Sequence, residues 1–222
     1  MARDTSDKVF VFPRWTWVLR PGFAAAAVGG LAYAALVVWL GFSPRATDVG
    51  YAPEQPVPYS HALHVGQLGL DCRYCHNTVE TAAYAAVPPT QTCMNCHAAI
   101  RKESEKLIPV RSSFATGMPI GWVRVHDLPD YVYFNHSAHV RRGVGCVSCH
   151  GRIDSMDVVY QAEPLSMGWC LDCHRNPERH LRPVEFVFEL DWVPAEDQLA
   201  LGRRLREAGD INPPVDCNTC HR

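Results

Sequence analysis

Five C-x-x-C-H runs and one uncharged apolar stretch predict a multihaem cytochrome c, mainly short α-helices and loops packed around five covalent haems, with one N-terminal transmembrane helix. The runs are Cys72/Cys75/His76, Cys93/Cys96/His97, Cys146/Cys149/His150, Cys170/Cys173/His174 and Cys217/Cys220/His221, and they use all ten cysteines. Two thiols one helical turn apart can add to the two vinyl groups of a porphyrin, and the next residue then sets an imidazole beneath the iron. Structural zinc also uses C-x-x-C pairs, but it needs no histidine directly after each second cysteine. With histidine at about one residue in twenty, five such coincidences have a probability on the order of one in a million or less. Attachment needs reduced thiols and takes place outside the bacterial cytoplasm, so ten cysteines here do not imply disulfides.

The anchor comes first in the chain. Residues 1–20 carry Arg3, Lys8, Arg14 and Arg20 against Asp4 and Asp7. Residues 21–43 contain no charge, and roughly 20 apolar residues suffice to cross a bilayer. The positive-inside rule puts residues 1–20 in the cytoplasm and the haem region on the periplasmic side of the bacterial inner membrane. A cleaved signal peptide would have a shorter apolar region. Ala26, Gly30 and Ala34 are spaced four apart, which gives one helix face the small residues that allow a membrane partner to pack closely.

Residues 44–58 hold four prolines and no periodicity, the pattern of an extended linker or surface-hugging arm. The haem domain, 59–222, then contains an internal repeat. YSHALHVGQLGLDCRYCH at 59–76 matches FNHSAHVRRGVGCVSCH at 134–150, with an aromatic, an H-x-x-H pair and a haem run in the same order. Each copy is followed by a second haem run, which defines two-haem units at 59–97 and 134–174 and a terminal haem at 217–221. A period of about 75 residues indicates duplication rather than a solenoid. Between the units, 98–108 reads as a short polar helix. Residues 182–194 read as one extended strand or an aromatic cover over a haem edge. Residues 195–209 read as a helix, with acids at its start, arginines at its end and Gly209 as a stop.

The runs supply five proximal ligands, His76, His97, His150, His174 and His221. The repeat assigns His61, His64, His136 and His139 as distal ligands, the second histidine of each pair reaching a haem other than its own. One distal position remains, with Met167, His126 and Met156 as the candidates and His180 behind them. A methionine is more often packing than ligand, yet a thioether raises the potential above that of a bis-histidine haem and would suit an electron exit. With enough ligands to saturate every iron, the chain reads as an electron carrier rather than an enzyme. No phosphate-binding glycine loop or nucleophile motif is present. A formal net charge of −2 gives no basic excess for nucleic acid. Arg141, Arg142, Arg175 and the arginines of 203–206 are candidate partners for haem propionates.

The H-x-x-H and C-x-x-C-H arrangement resembles the small class III multihaem cytochromes. PPTQTCMNCH, WVRVHDLPDYVYFNHSAHV, GCVSCHGRIDSM and PLSMGWCLDCHRNPE, with the anchor and the last haem run, together resemble ActA, the pentahaem cytochrome c component of alternative complex III. That resemblance implies electron relay from quinol oxidation in a membrane complex to a periplasmic acceptor. It also implies three partner subunits: a polytopic NrfD-like quinol-binding subunit, an iron–sulfur/molybdopterin-oxidoreductase-like subunit and a monohaem cytochrome. A soluble cytochrome c or blue-copper protein would be the acceptor. Mostly bis-histidine haems with one His/Met haem are implied as well. Two alternatives are a free-standing NapC/NrfH-like quinol dehydrogenase and a multihaem enzyme acting on nitrogen or sulfur oxyanions.

Overall fold

The computed structural model describes residues 12–41 and 47–221 and divides into two units, Met1–Ala46 and Thr47–Arg222. Arg3, Lys8, the last two residues of the 21–43 stretch and the start of the linker lie outside the described residues. In the first unit a 3-10 turn, Arg14–Val18, runs into helix α1, Leu19–Gly41. At about 1.5 Å per residue this helix matches the roughly 30 Å of a bilayer's hydrocarbon core. The span Trp15–Gly41 is long and apolar enough to cross a membrane, and none of its most apolar window is buried within the chain. Ala26, Gly30 and Ala34 all lie on α1 and are exposed.

The second unit is built from short helices: α2 Cys72–Cys75, α3 Thr90–His97, α4 Ile108–Thr116, α5 His136–Val140, α6 Val147–His150, α7 Met167–Arg175, α8 Gln198–Ala208 and α9 Cys217–Cys220. Among the described residues, β pairing is confined to two isolated bridges, Val132 to His221 and Val144 to Leu181. Helices this short are not stable alone in water. What holds them is a small apolar cluster of Val79, Val140 and Val187, with Ala85, Cys146 and Phe188 against it. It draws residues from both two-haem units and from the segment after them.

Two expectations fail here. The polar helix over 98–108 is absent: 98–104 is turn, with Arg101 at φ 50°, and the helix lies downstream as α4. Its buried face, Val110 and Ser113, decides the placement, since 98–108 has no comparable face to pack on α3. The Ser113 hydroxyl joins Thr90 Oγ1 at 2.7 Å, tying α4 to the start of α3. Of the two readings of 182–194, the extended strand is absent. Val184–Phe186 is a 3-10 turn, Val187 is fully buried, and Phe186 stacks on Trp192 with ring centroids 5.4 Å apart. A curled segment can bury Val187 while Phe188 faces the Arg73 guanidinium 4.5 Å above its ring. A flat strand would put those neighbours on opposite faces with no sheet to pair with.

The linker is the surface-hugging form. Gly50 and Gln161 join through a 2.8 Å backbone bond, and Gln161 N–H returns to Tyr51 O at 3.0 Å. Gln55 clamps Val123, donating to its carbonyl at 2.8 Å and accepting its N–H at 2.9 Å. Val57 is buried. The helix expected over 195–209 is α8, with Asp197 capping it by accepting the Ala200 N–H at 2.9 Å and Gly209 closing it.

Candidate haem centres

The C-x-x-C-H runs fold as helical turns for local reasons. Asp71 accepts the Arg73 N–H, Ser166 the Trp169 N–H and Asp216 the Thr219 N–H, so α2, α7 and α9 start on side-chain caps that satisfy otherwise unpaired amides. The histidine N–H then closes the turn on the first cysteine carbonyl, at 2.8 Å for His76, 3.0 Å for His150 and 2.8 Å for His221. Cys93, Cys96 and His97 instead form the last turn of the longer helix α3, which starts without a side-chain cap. In each run thiol, thiol and imidazole sit along one turn.

The ten cysteines form no disulfide, and they are not equally enclosed. Eight are half-buried, whereas Cys96 and Cys217 are exposed. The two exposed thiols belong to the runs at 93/96 and 217/220.

The two H-x-x-H copies repeat in three dimensions. Tyr59 stacks on His64 at 4.4 Å between centroids and stands edge-on to His61 at 4.9 Å. Phe134 stacks on His139 at 4.5 Å and stands edge-on to His136 at 4.8 Å. His64 Nδ1 meets Ser60 O at 2.8 Å, and His139 Nδ1 meets Asn135 O at 2.7 Å, four residues back in both copies. The carrying elements differ: 62–67 is a π-helical turn and the equivalent segment is α5.

Backbone carbonyls hold most of the histidine rings. His76 Nδ1 lies 2.8 Å from Ala86 O, His97 Nδ1 3.0 Å from Ile100 O, His174 Nδ1 2.6 Å from Pro214 O and His221 Nδ1 3.2 Å from Tyr131 O. His136 Nδ1 lies 2.8 Å from Ala83 O, across the boundary between the two-haem units. A carbonyl can only accept, so it fixes the proton on Nδ1 and leaves the Nε2 lone pair for a metal. This is the donor set a haem iron requires.

The rings are also paired across space. His64 and His97 have centroids 6.2 Å apart, His139 and His174 6.0 Å, and His136 and His150 6.5 Å. A metal–imidazole bond of about 2 Å on each side places trans ring centroids about 6 Å apart, so these separations fit a shared iron. His61 lies close enough to His76 for a charge on that ring to disfavour protonation of His61. The candidates for the remaining distal position are dispersed. Met156 is buried beside Gly151, Met167 opens α7 with its side chain largely exposed, and His126 lies against His150 at 4.4 Å. Four of the arginines matched to propionates have protein partners: Arg141 donates to Glu80 O, Arg142 to Gly209 O, and Arg204 and Arg206 pair with Glu196 and Glu178.

Burial sets the protonation states. It pushes His150 down to about 3 and His61 to about 4, with neighbouring imidazoles adding to the shift. Both rings are thus neutral, the form that binds metal. The unfolded chain takes up protons near the ordinary histidine value of about 6.5, whereas the folded chain refuses them until the pH is far lower. Stability from these two rings is full above about 6.5 and falls as the pH drops towards about 4. The urea midpoint should therefore be lower at pH 5 than at pH 7.5; equal midpoints would show that the rings are not neutral in the fold.

The runs also lie in a spatial order that differs from their order in the chain. Burial raises Cys75, and the Cys93 thiol adds to the effect; Cys146 is raised to about 11 by burial and then by Cys72. Cys149 is raised to about 12 by burial and then by Cys173 and Cys170, and Cys170 by burial and then by Cys220. Neighbouring thiols thus link run 93/96 to 72/75, that to 146/149, then 170/173, then 217/220. Sequence order alone would have put the run at 72/75 at the end.

Residues 132–222 match the family model described as cytochrome c7 and related cytochrome c. The chain is also similar to the menaquinone reductase, multiheme cytochrome c subunit, of Nitratidesulfovibrio vulgaris, at 29% identity over 182 residues, covering 72% of this chain and 84% of the relative. With the attachment turns and carbonyl-held imidazoles, these matches make the chain a multihaem electron-transport cytochrome carrying covalent haem c, whose residues 132–222 form a cytochrome c7-like domain of short helices and loops.

Proposed function

We propose that this chain is the membrane-anchored pentahaem subunit of a quinol-oxidising complex of the alternative complex III type, relaying electrons to a periplasmic acceptor. The observation that carries the proposal is the pairing of histidine rings at 6.0–6.5 Å. Haem, when bound, supplies one-electron cycling between ferric and ferrous iron. The chain supplies the tethers, the axial ligands and the order. All ten cysteines serve as thioether tethers, the exposed Cys96 and Cys217 included. Four bis-histidine pairs are assigned, His76 with His61, His97 with His64, His150 with His136 and His174 with His139. His221 is the proximal ligand of the fifth site. Met167 is its distal ligand, since α7 carries the thiols nearest the last run, while Met156 and His126 are packed beside the third. Axial saturation leaves no iron free for substrate, so the subunit carries electrons and performs no bond chemistry of its own.

Helix α1 anchors the subunit by a single pass, with the N-terminus in the cytoplasm and the haem domain in the periplasm. The small face at Ala26, Gly30 and Ala34 receives a helix of the polytopic NrfD-like subunit. The iron–sulfur/molybdopterin-oxidoreductase-like subunit and the monohaem cytochrome complete the assembly. The relative's name supports a second reading, in which the same row of haems delivers electrons to a quinone instead of drawing them from a quinol.

A redox-titrated visible and EPR spectrum of the isolated complex tests the assignment, with carbon monoxide added to the reduced sample. Five low-spin haems indifferent to carbon monoxide, one titrating well above the rest, are expected. A high-spin, carbon monoxide-binding component in the native complex would overturn axial saturation. Stopped-flow mixing with quinol and with a reduced low-potential donor separates the two directions: haem reduction by quinol supports the proposal, and reduction only by the other donor supports the second reading.

A further inference from the structure

The two copies of the repeat differ at the residue directly before the attachment turn. In the first copy it is Asp71, whose carboxylate caps α2 by accepting the Arg73 N–H. In the second it is Gly145, and α6 starts without a side-chain cap. A β-carbon on Gly145 would lie 2.5 Å from both Nε and Cζ of Arg182. A guanidinium thus takes the place that a carboxylate side chain fills in the first copy.

Arg182 is built into that place. Its backbone N–H donates to Gly143 O at 2.9 Å, beside the bridge from Val144 to Leu181. Nη1 donates to Glu189 O at 2.8 Å, and the guanidinium lies 5.1 Å from the centre of the Trp192 ring. Nε is buried. Among the described residues Arg182 forms no ion pair, whereas Arg73, Arg124, Arg152, Arg204 and Arg206 each have a carboxylate. A guanidinium keeps its proton in proteins. An uncompensated positive charge therefore stands against the residue before Cys146.

We propose that Arg182 sets the potential of the third haem centre, its fixed charge holding that potential up. The inference rests on the reading of Cys146, Cys149 and His150 as a haem attachment turn. Oxidising an iron adds a positive charge, which a nearby cation disfavours, so the ferrous state gains. The carbonyl of Glu189 orients the guanidinium without neutralising it. At an effective dielectric of about 20 a unit charge still shifts a one-electron equilibrium about tenfold across roughly 12 Å. In the first copy Asp71 and Arg73 pair at 2.6 Å and cancel, so the centre at 72/75 has no such lift. In the spatial order of the runs the third centre is the middle one. A raised potential there draws an electron across the boundary between the two-haem units.

The test measures haem content, spin state and the individual potentials of three variants in the complete complex. Arg182→Gln removes the charge and keeps a donor. All haems stay low-spin while one potential falls, by about a tenfold change in the oxidised-to-reduced ratio at fixed potential, or ~59 mV for one electron. Arg182→Lys keeps the charge and restores most of that shift. Gly145→Asp rebuilds the arrangement of the first copy by setting a carboxylate against the guanidinium. It lowers the same potential with Arg182 still present, and so decides the question even where Arg182→Gln folds poorly. Unchanged potentials in Arg182→Gln and Gly145→Asp with full haem content would overturn the proposal and leave Arg182 as a structural clamp. An equal fall in Arg182→Lys and Arg182→Gln would also overturn it, by making packing rather than charge the cause. If peptide mass spectrometry of the unaltered protein shows no haem on Cys146 and Cys149, the attachment reading itself fails.

Discussion

His139→Ala is expected to convert one low-spin haem into a high-spin haem that binds carbon monoxide, raising carbon monoxide uptake from near zero to about one per chain. The ring of His139 faces that of His174 at 6.0 Å, stacks on Phe134 at 4.5 Å and holds Asn135 O at 2.7 Å through Nδ1. Alanine removes the donor and nothing nearby replaces it. The haem itself stays, because Cys170, Cys173 and His174 all lie on α7 and are untouched. Its content by pyridine haemochrome should therefore be unchanged. His139→Met should keep the haem low-spin and raise its potential, since a thioether donates less to ferric iron. Carbon monoxide-insensitive, wholly low-spin haems in His139→Ala would show that the second histidine of the pair does not serve the following run, and by the repeat would remove the same role from His64.

Gly202→Ala is expected to destabilise the haem domain by about 3 kcal/mol or more, although alanine is the better helix former by about 1 kcal/mol. A β-carbon at 202 would run into Glu178 O and lie 2.6 Å from its Cα. Those are backbone atoms of the turn Pro177–Arg179, and that turn cannot yield cheaply. Gln198 Nε2 donates to Glu178 O at 2.9 Å and to Leu181 O at 2.8 Å, and Arg206 pairs with the Glu178 carboxylate. Pushing α8 away would break all three contacts at once. Gly168 provides the contrast. It lies in α7 with nothing within 4 Å of its missing β-carbon, so Gly168→Ala should be neutral or stabilise by up to about 1 kcal/mol. Denaturant midpoints of the haem-loaded protein separate the two. Equal midpoints for Gly202→Ala and the unaltered chain would mean that α8 does not approach the turn as closely as these distances require.

The attachment chemistry is legible in the sequence because it is local. A C-x-x-C-H run carries its own geometry on one helical turn; the caps Asp71 and Asp216 stand directly before their runs, and Ser166 caps α7 four residues before Cys170. How deeply each run is enclosed is not local, and nothing in the spacing separates the exposed Cys96 and Cys217 from the half-buried thiols. The H-x-x-H repeat is legible for the same reason as the runs, since its aromatic lies within five residues of both histidines and the carbonyl that holds His64 or His139 lies four residues back. Helix α8 announces itself by Asp197 and Gly209. The 98–108 helix and the 182–194 strand fail because polarity and alternation describe faces, and which face is buried depends on distant partners. Val110 and Ser113 need the start of α3 to pack on, and Val187 needs Val79 and Val140.

His126 shows the limit most clearly. In the sequence it is a spare histidine and a candidate for an open axial position. Nothing within its own segment points to His150, and no local signal could have supplied the 4.4 Å approach. The same holds for the order of the centres, in which the run at 93/96 lies outermost and 72/75 meets 146/149. By itself the sequence determined the covalent chemistry, the apolar helix and the duplicated unit, because each is written in residues a few positions apart. Only the tertiary structure decided which carbonyl holds each imidazole, which rings face one another and in what order the centres stand. Those relations join segments tens of residues apart, and they are set by the packing of short helices that have no stable arrangement until they meet.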